Sequence, residues 1–216
     1  MQQMERRALT RARLVEAALD VFSLAGYEHA TVDDIARAAR VSKGAFYFHF
    51  TSKEDMLAEL LRIWASDKTD AMRRSVEAED EPALRLRALL GALFSYGGDF
   101  RWPRMLLEFW SQSTRSDDVA RALRRTYRHW SKMLACSVAP AYAGPAHGSA
   151  EDAAAAVLAM HDGLACEMAL GRRVTMAVIE QRIAPLLAAF LVAAVERPLD
   201  IVDVVEPERV PAFMRA

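Results

Sequence analysis

A chain of 216 residues, 53% hydrophobic and 26% charged with a net charge of −1, can pack one large or two small domains and lacks the composition of a disordered segment. Its longest apolar run, residues 183–195, is 13 residues, short of the roughly 20 that a membrane helix needs. Arg6, Arg7, Arg11 and Arg13 lead into an amphipathic pattern and not a signal peptide's apolar core, which implies a cytoplasmic protein without membrane attachment. Cys136 and Cys166, too few and too far apart for a disulfide scaffold or a zinc site, read as reduced thiols in a helical core, with a redox switch as the alternative.

Charge is uneven along the chain. Residues 1–53 carry eight Lys and Arg against six Asp and Glu, and residues 54–216 carry 20 against 23. Two readings stand for the four early arginines: a mobile arm that reaches phosphates or a minor groove, and a solvated terminus. The first helix runs from about Glu5 to Ala25, with Leu14, Ala17, Ala18 and Phe22 on one face and Gly26 as its stop. From Thr31 to Lys53 the chain reads as two short helices, a tight turn between them and the start of another helix. Thr31, Ser42 and Ser52 each stand where a hydroxyl accepts from the amides of a helix start. Asp34 and Asp55 follow Thr31 and Ser52 at capping-box spacing. Helices this short need a shared core, and Val32, Ile35, Ala36, Ala39, Val41, Phe46 and Phe50 supply it. Lys43, Gly44, Ala45, Tyr47 and His49 are left facing outward, a small, hydrogen-bonding, partly cationic surface suited to a DNA groove.

This segment resembles the helix-turn-helix of the TetR family of transcriptional regulators, and the match extends from about Arg11 to Leu60. It departs from the family at Arg40, where a glycine is usual; a left-handed backbone there carries a modest penalty for arginine. The resemblance assigns Thr31, Lys43, Tyr47, His49 and Lys53 to phosphate contacts, and Ser42, Gly44 and Ala45 to the groove surface. Tyr and His reach the groove walls, Lys53 sits in a first helical turn whose amides hold the same phosphate, and Gly44 and Ala45 permit close approach. Residues 1–53 are thus expected to form a three-helix DNA-binding domain, and residues 54–216 a helical ligand-binding and dimerisation domain.

The fourth helix runs unbroken from Ser52 to about Ala78, with Leu57, Leu60, Leu61 and Trp64 along it. Pro82 opens a fifth that stops near Gly97-Gly98, and Trp102-Pro103 opens a sixth to about Ser113. The seventh, from Asp117 to about Val138, has Leu123, Tyr127, Trp130 and Leu134 on one face. Its other face carries Arg121, Arg125, Arg128 and Lys132, read as a solvated stripe with a second DNA site as the alternative. After a loop rich in proline and glycine over residues 140–149, an eighth helix runs from Ser149 to about Leu170, capped by Gly171. A ninth spans about Thr175 to Val195, with a kink or late start expected at Pro185. The sum is an all-α chain of about nine helices, followed after Glu196 by a proline-interrupted tail.

Helices eight and nine are apolar around much of their surface, which points to a homodimer interface, and the family resemblance implies a four-helix bundle between subunits. Two-fold symmetry then presents a second reading helix roughly 34–36 Å away on a palindromic double-stranded operator. Aromatics and thioethers of the later helices imply an adaptable apolar cavity for a small lipophilic effector. Its candidate lining is Trp64, Phe94, Met105, Glu108, Phe109, Trp110, Tyr127, Trp130 and His161. If Glu108 faces inward a cationic amphiphile is favoured, and if outward a neutral lipophile. The chain has no phosphate loop, His-Glu-x-x-His or nucleophile elbow, and no cofactor or metal is implied. The expectation is a ligand-responsive DNA-binding regulator, a repressor released by its effector. Its alternatives are a helical binding protein without a DNA role and, last, an all-α enzyme.

Overall fold

Eight α-helices follow one another in the computed structural model, which describes residues 2–96, 99–138 and 150–172, together with residues 174, 175, 177, 178, 181 and 182. They are α1 (Gln2–Ala25), α2 (Val32–Ala38), α3 (Lys43–His49), α4 (Lys53–Glu77), α5 (Pro82–Phe94), α6 (Arg101–Ser113), α7 (Asp117–Val138) and α8 (Ala150–Ala169). Among the described residues there is no strand, and no helix is long and apolar enough to cross a membrane. The ninth helix, the Pro185 kink, the loop over residues 140–149 and the tail lie outside the described residues.

Caps set the short helices of the N-terminal half. Thr31 Oγ1 accepts from the Asp34 amide at 3.2 Å, and Asp34 Oδ2 accepts from the Thr31 amide at 3.1 Å, closing the capping box. Ser42 and Ser52 accept from the amides of Ala45 and Asp55, each at 3.1 Å. Asp55 reaches back one residue further, taking the Thr51 amide at 2.8 Å. Between α2 and α3 the chain reverses through Arg40, whose φ of 55° makes it the one described non-glycine residue in the left-handed region. The conformation costs arginine about 1–2 kcal/mol; the turn is held by the Val41 amide on the Ala36 carbonyl at 3.0 Å. Ile35, Phe46 and Phe50 then bury against Leu14, Ala18 and Phe22 of α1. The helix α1 starts at Gln2, so the early arginines lie on a helix and not on an arm.

In the C-terminal half α4 packs along α5, and α8 packs on α6 and α7. The helix α5 ends at Phe94, three residues before the expected glycines, because its last turn is met from the side. Lys68 on α4 donates from Nζ to the carbonyls of Ala92 (3.5 Å) and Ser95, satisfying acceptors that a helix end leaves free. Asp99 Oδ1 accepts from the Arg101 amide at 3.0 Å and so starts α6, with Pro103 in a first turn that needs no amide donor there. The helix α8 stops before Gly171, at φ +85°.

The two halves meet chiefly through α1 and α6. Arg101 reaches Glu16 (2.7 Å) and Asp20 (2.6 Å) on α1, and Glu28 in the loop after α1 accepts from Gln112 (2.9 Å) and Arg115 (3.0 Å).

Candidate DNA-binding surface and effector cleft

The helix α3 is anchored by Phe46, fully buried, and by Phe50 just after it, their rings 5.7 Å apart. This leaves Lys43, Gly44, Tyr47 and Phe48 exposed, with Ala45 and His49 half-buried. A Cβ built at Gly44 would meet only Ser42 Oγ at 3.8 Å, so the fold itself does not require glycine there. Tyr47 is 51% exposed. Phe48, absent from the sequence-based set, is also exposed, with the Arg7 guanidinium 5.1 Å from its ring. Arg11 lies 5.2 Å from the Phe50 ring and bonds Glu59 at 2.7 Å. Two arginines of α1 thus flank the C-terminal end of α3. Partial burial, then Arg11 and Arg7, hold the His49 imidazole below the ordinary histidine range.

The two lysines of the expected DNA set already have protein partners. Lys43 Nζ bonds Asp33 Oδ2 at 2.8 Å on the exposed side of α2, a pair that a phosphate can compete for. Lys53 Nζ is more tightly committed. It donates to the carbonyls of Tyr27 (2.8 Å), Ala30 (3.1 Å) and Glu28 (3.4 Å) and lies 4.3 Å from the Tyr27 ring centroid. Its ammonium therefore ties α4 to the loop between α1 and α2.

In the other half the expected lining divides. Trp64, Phe109, Trp130 and Tyr127 form a continuous ring cluster, with Trp64 to Trp130 at 5.1 Å, Trp64 to Phe109 at 5.9 Å and Tyr127 to Trp130 at 5.6 Å. Phe94 packs on His161 at 5.7 Å, and Met105 is fully buried. This is filled core. Trp110 sits at its edge, 43% exposed and edge-on to Tyr127. Glu108 turns away from the rings, its Oε1 3.3 Å from where a Cβ of Gly26 would stand, at the junction with α1.

A polar chain runs through this aromatic core. His161, fully buried, meets Tyr96 Oη at 2.8 Å through Nε2 and Asp162 Oδ1 at 3.1 Å through Nδ1. Tyr127 donates to the same Asp162 oxygen. Burial holds His161 below its ordinary pKa, so it is neutral: Nδ1–H donates to Asp162 and Nε2 accepts from Tyr96. Burial, followed by the Asp162 charge, pushes both tyrosines well above the usual phenol range. Lys68 completes the chain. It is 7% exposed, stands 4.3 Å from the Tyr96 ring centroid, and is pushed down to about 8 by desolvation. Sequence reading missed it, although it lies four residues beyond Trp64 and seven beyond Leu61 on the buried face of α4.

Beside this chain opens a cleft of about 310 Å³ between α4, α5 and the start of α6, walled by Trp64, Lys68, Ala71, Ala92, Tyr96 and Trp102, with Asp67 at its exposed rim. The Trp64 indole N–H is buried without an acceptor. A larger open groove of about 710 Å³ runs between α4 and α7, with an apolar floor at Leu61, Ala65 and Ala122 and a rim of Arg62, Arg121, Arg124, Arg125 and Arg128. No group of acidic, histidine or cysteine side chains among the described residues is arranged to hold a metal.

Comparison with known proteins agrees with this architecture. The model of bacterial regulatory proteins of the tetR family matches residues 14–60, and that of the BetI-type transcriptional repressor C-terminal region matches residues 82–192. The chain is 30% identical over 165 residues to the HTH-type transcriptional regulator BetI of Burkholderia mallei, covering 73% of this chain and 80% of that one. A transcriptional regulator from Rhodococcus sp. Rha1 superimposes with a TM-score of 0.72 at 27% identity, over 87% of this chain and 99% of that one. Another, from Saccharomonospora viridis in complex with choline, does so with a TM-score of 0.71 at 22% identity, over 82% and 95%. The chain belongs to the TetR family and is a ligand-responsive DNA-binding transcriptional regulator, not an enzyme.

Proposed function

We propose that two copies of the chain hold their α3 helices in successive major grooves of a palindromic duplex and repress transcription until a small effector with an apolar body enters the cleft beside Trp64, Tyr96 and Trp102. The observation that carries this reading is the position of α6. Trp102 walls the cleft, while its neighbour Arg101 grips Glu16 and Asp20 of α1. A ligand that moves Trp102 therefore moves the helix on which the reading head is built. On the DNA side Tyr47, His49, Thr31 and Lys43, once freed from Asp33, contact phosphates, and Ser42, Gly44 and Ala45 face the groove floor. Pairing runs through α8 and the segment after it. Supporting this, α8 leaves Ala155, Ala159 and Gly163 exposed in one row, small enough for two helices to approach closely.

A second reading makes the effector a quaternary ammonium, like the choline held by the Saccharomonospora viridis protein. The Trp64 and Trp102 walls and the Asp67 carboxylate at the rim favour it, away from the Tyr96 face that Lys68 occupies.

Selection of tight-binding sequences from random duplexes by the full chain tests the DNA reading. The expected product is an inverted repeat with half-sites centred about one DNA turn, roughly 34–36 Å, or a multiple of it apart. A single asymmetric site bound by one copy would overturn it.

A further inference from the structure

Two buried hydrogen-bond donors at one cleft lack an anionic acceptor. The ammonium of Lys68 is nearly sealed from solvent, and its only acceptors among the described residues are the carbonyls of Ala92 and Ser95. An ammonium carries three donors, so one is left over. No carboxylate among the described residues pairs with it. Asp67, next in the chain, is exposed, and Asp162 is bonded to His161 and Tyr127, with Tyr96 standing between it and Lys68. A buried charge without a counter-ion is costly, and it is this cost that drives the lysine down to about 8. One turn earlier on the same face of α4, the Trp64 N–H is buried and unpaired, whereas the neighbouring Trp130 N–H finds Thr69 Oγ1 at 2.8 Å. Native cores leave few such donors unmet.

Resting on the reading of this cleft as the effector site, the geometry points to an effector that carries a carboxylate: its oxygens take Lys68 Nζ and Trp64 Nε1, and its apolar body lies between Tyr96 and Trp102. A cation is disfavoured at the same place, because the Lys68 ammonium already occupies the face of Tyr96 and would repel it. At about 310 Å³ the cleft lies at the small end of ligand pockets, which limits the body to a single ring or a short chain.

The test is a binding panel on the full-length protein, followed by calorimetry. It comprises phenylacetate, 3-phenylpropionate and hexanoate, each beside its primary amide, with choline as the cationic probe. At least one acid should bind tenfold or more tighter than its amide, on the order expected of charge-assisted hydrogen bonds. That preference should shrink severalfold in Lys68→Met and again in Trp64→Phe, which keeps a ring and loses only the N–H donor. Nuclear magnetic resonance of the lysine side chains should show one lysine titrating near 8 in the free protein and higher in the complex.

If no acid is preferred over its amide, the carboxylate assignment fails. It fails equally if the preference survives in both variants, since the acid then sits elsewhere, with the arginine-rimmed groove between α4 and α7 the alternative. Ala71→Trp separates this from the fate of the cleft. Choline or amides that bind the wild type and are excluded by Ala71→Trp leave the cleft as effector site while the carboxylate falls. Ligands indifferent to Ala71→Trp overturn the cleft reading itself.

Discussion

Lys53 Nζ lies 2.8 Å from the Tyr27 carbonyl and 4.3 Å from the centre of the Tyr27 ring, so a single ammonium holds the first turn of α4 against the loop that follows α1. Two further carbonyls, of Ala30 and Glu28, share it. In the free chain all these contacts are internal to the reading head. Lys53→Met should therefore destabilise the protein by about 2 kcal/mol, the scale of a charged hydrogen bond with its acceptors left bare. Urea denaturation measures this. An unchanged denaturation midpoint, with a salt dependence of DNA binding lowered by about one, would show that Lys53 leaves the carbonyls for a phosphate.

Lys43 behaves differently, because its partner is a single exposed carboxylate. Lys43→Ala should weaken binding to specific and random duplexes alike and lower the salt slope by about one. Asp33→Asn frees the ammonium and should strengthen both. Affinities at several salt concentrations on both duplexes decide the matter. A loss confined to the selected sequence in Lys43→Ala would mean that the lysine reads bases. Tyr47→Ala, which removes an exposed side chain from α3, should follow the same uniform pattern without loss of stability.

The reading head was legible because nearly everything that builds it is local. Hydroxyl caps at residues 31, 42 and 52 and apolar positions at helical spacing fix α2 and α3 within about 20 residues, and Arg40 takes the left-handed φ that its place in the turn demands. The effector half was less legible because its decisive residues depend on tertiary docking. Lys68 goes unmarked in sequence because a lysine is seldom buried; the end of α5 and the Tyr96 ring cover it. Glu108 sits between large apolar residues in sequence, yet the turn of α6 that buries Met105, Phe109 and Gln112 carries it round to Gly26. Glu108, turned to Gly26, therefore gives a cationic effector no counter-charge in the ring cluster. Aromatic spacing also cannot separate a cavity from rings packed on rings, which is what Trp64, Phe109 and Trp130 do.

Pairing through α8 can be probed where the monomer gives up nothing. Ala159 is exposed, and an added Cβ at Gly163 meets no atom within 4 Å, so neither position is taken up by the described residues. Ala159→Glu should yield a folded monomer, since two copies would bring like charges together across the two-fold axis. Light scattering reads the mass. A dimer of unchanged stability would move the interface off α8.

Stability should depend on pH in three windows, all through the chain from Lys68 to Asp162. The folded state holds His161 below its ordinary pKa, against Tyr96, Asp162 and Lys68, while the unfolded chain protonates it near 6.5. The unfolded state therefore binds more protons as pH falls past that value, and stability is lost on acidification. Lys68 acts with the same sign at higher pH. Its folded pKa of about 8 lies below the unfolded value near 10.4, so stability should rise between these limits. Above about 10 the tyrosines reverse the trend, because Tyr96 and Tyr127 keep their protons in the fold and lose them when it opens. Melting temperatures across pH 5 to 11 give the profile. If Lys68→Met keeps the rise between about 8 and 10, another group is responsible.

The effect of the cleft on DNA binding should pass through α6. Arg101 joins Glu16 and Asp20 on α1 to Asp99 on its own side, and these contacts hold its guanidinium charge firmly. With Trp102 as its neighbour, it is a direct link from the cleft wall to the reading head. Arg101→Ala should leave effector affinity close to wild type while shrinking the effect of effector on operator affinity, because the moving helix loses its grip on α1. The coupling at stake is typically ~1–3 kcal/mol, and by reciprocity operator must weaken effector by the same factor. The measurement is a titration of the tightest-binding panel compound, with and without operator, on wild type and variant. In wild type the two affinities should differ by about five- to 150-fold, and in Arg101→Ala the gap should narrow severalfold. A wild-type gap carried over intact into the variant would route the signal along α4 instead, through Trp64 to Lys53, and leave Arg101 as an ordinary surface clamp.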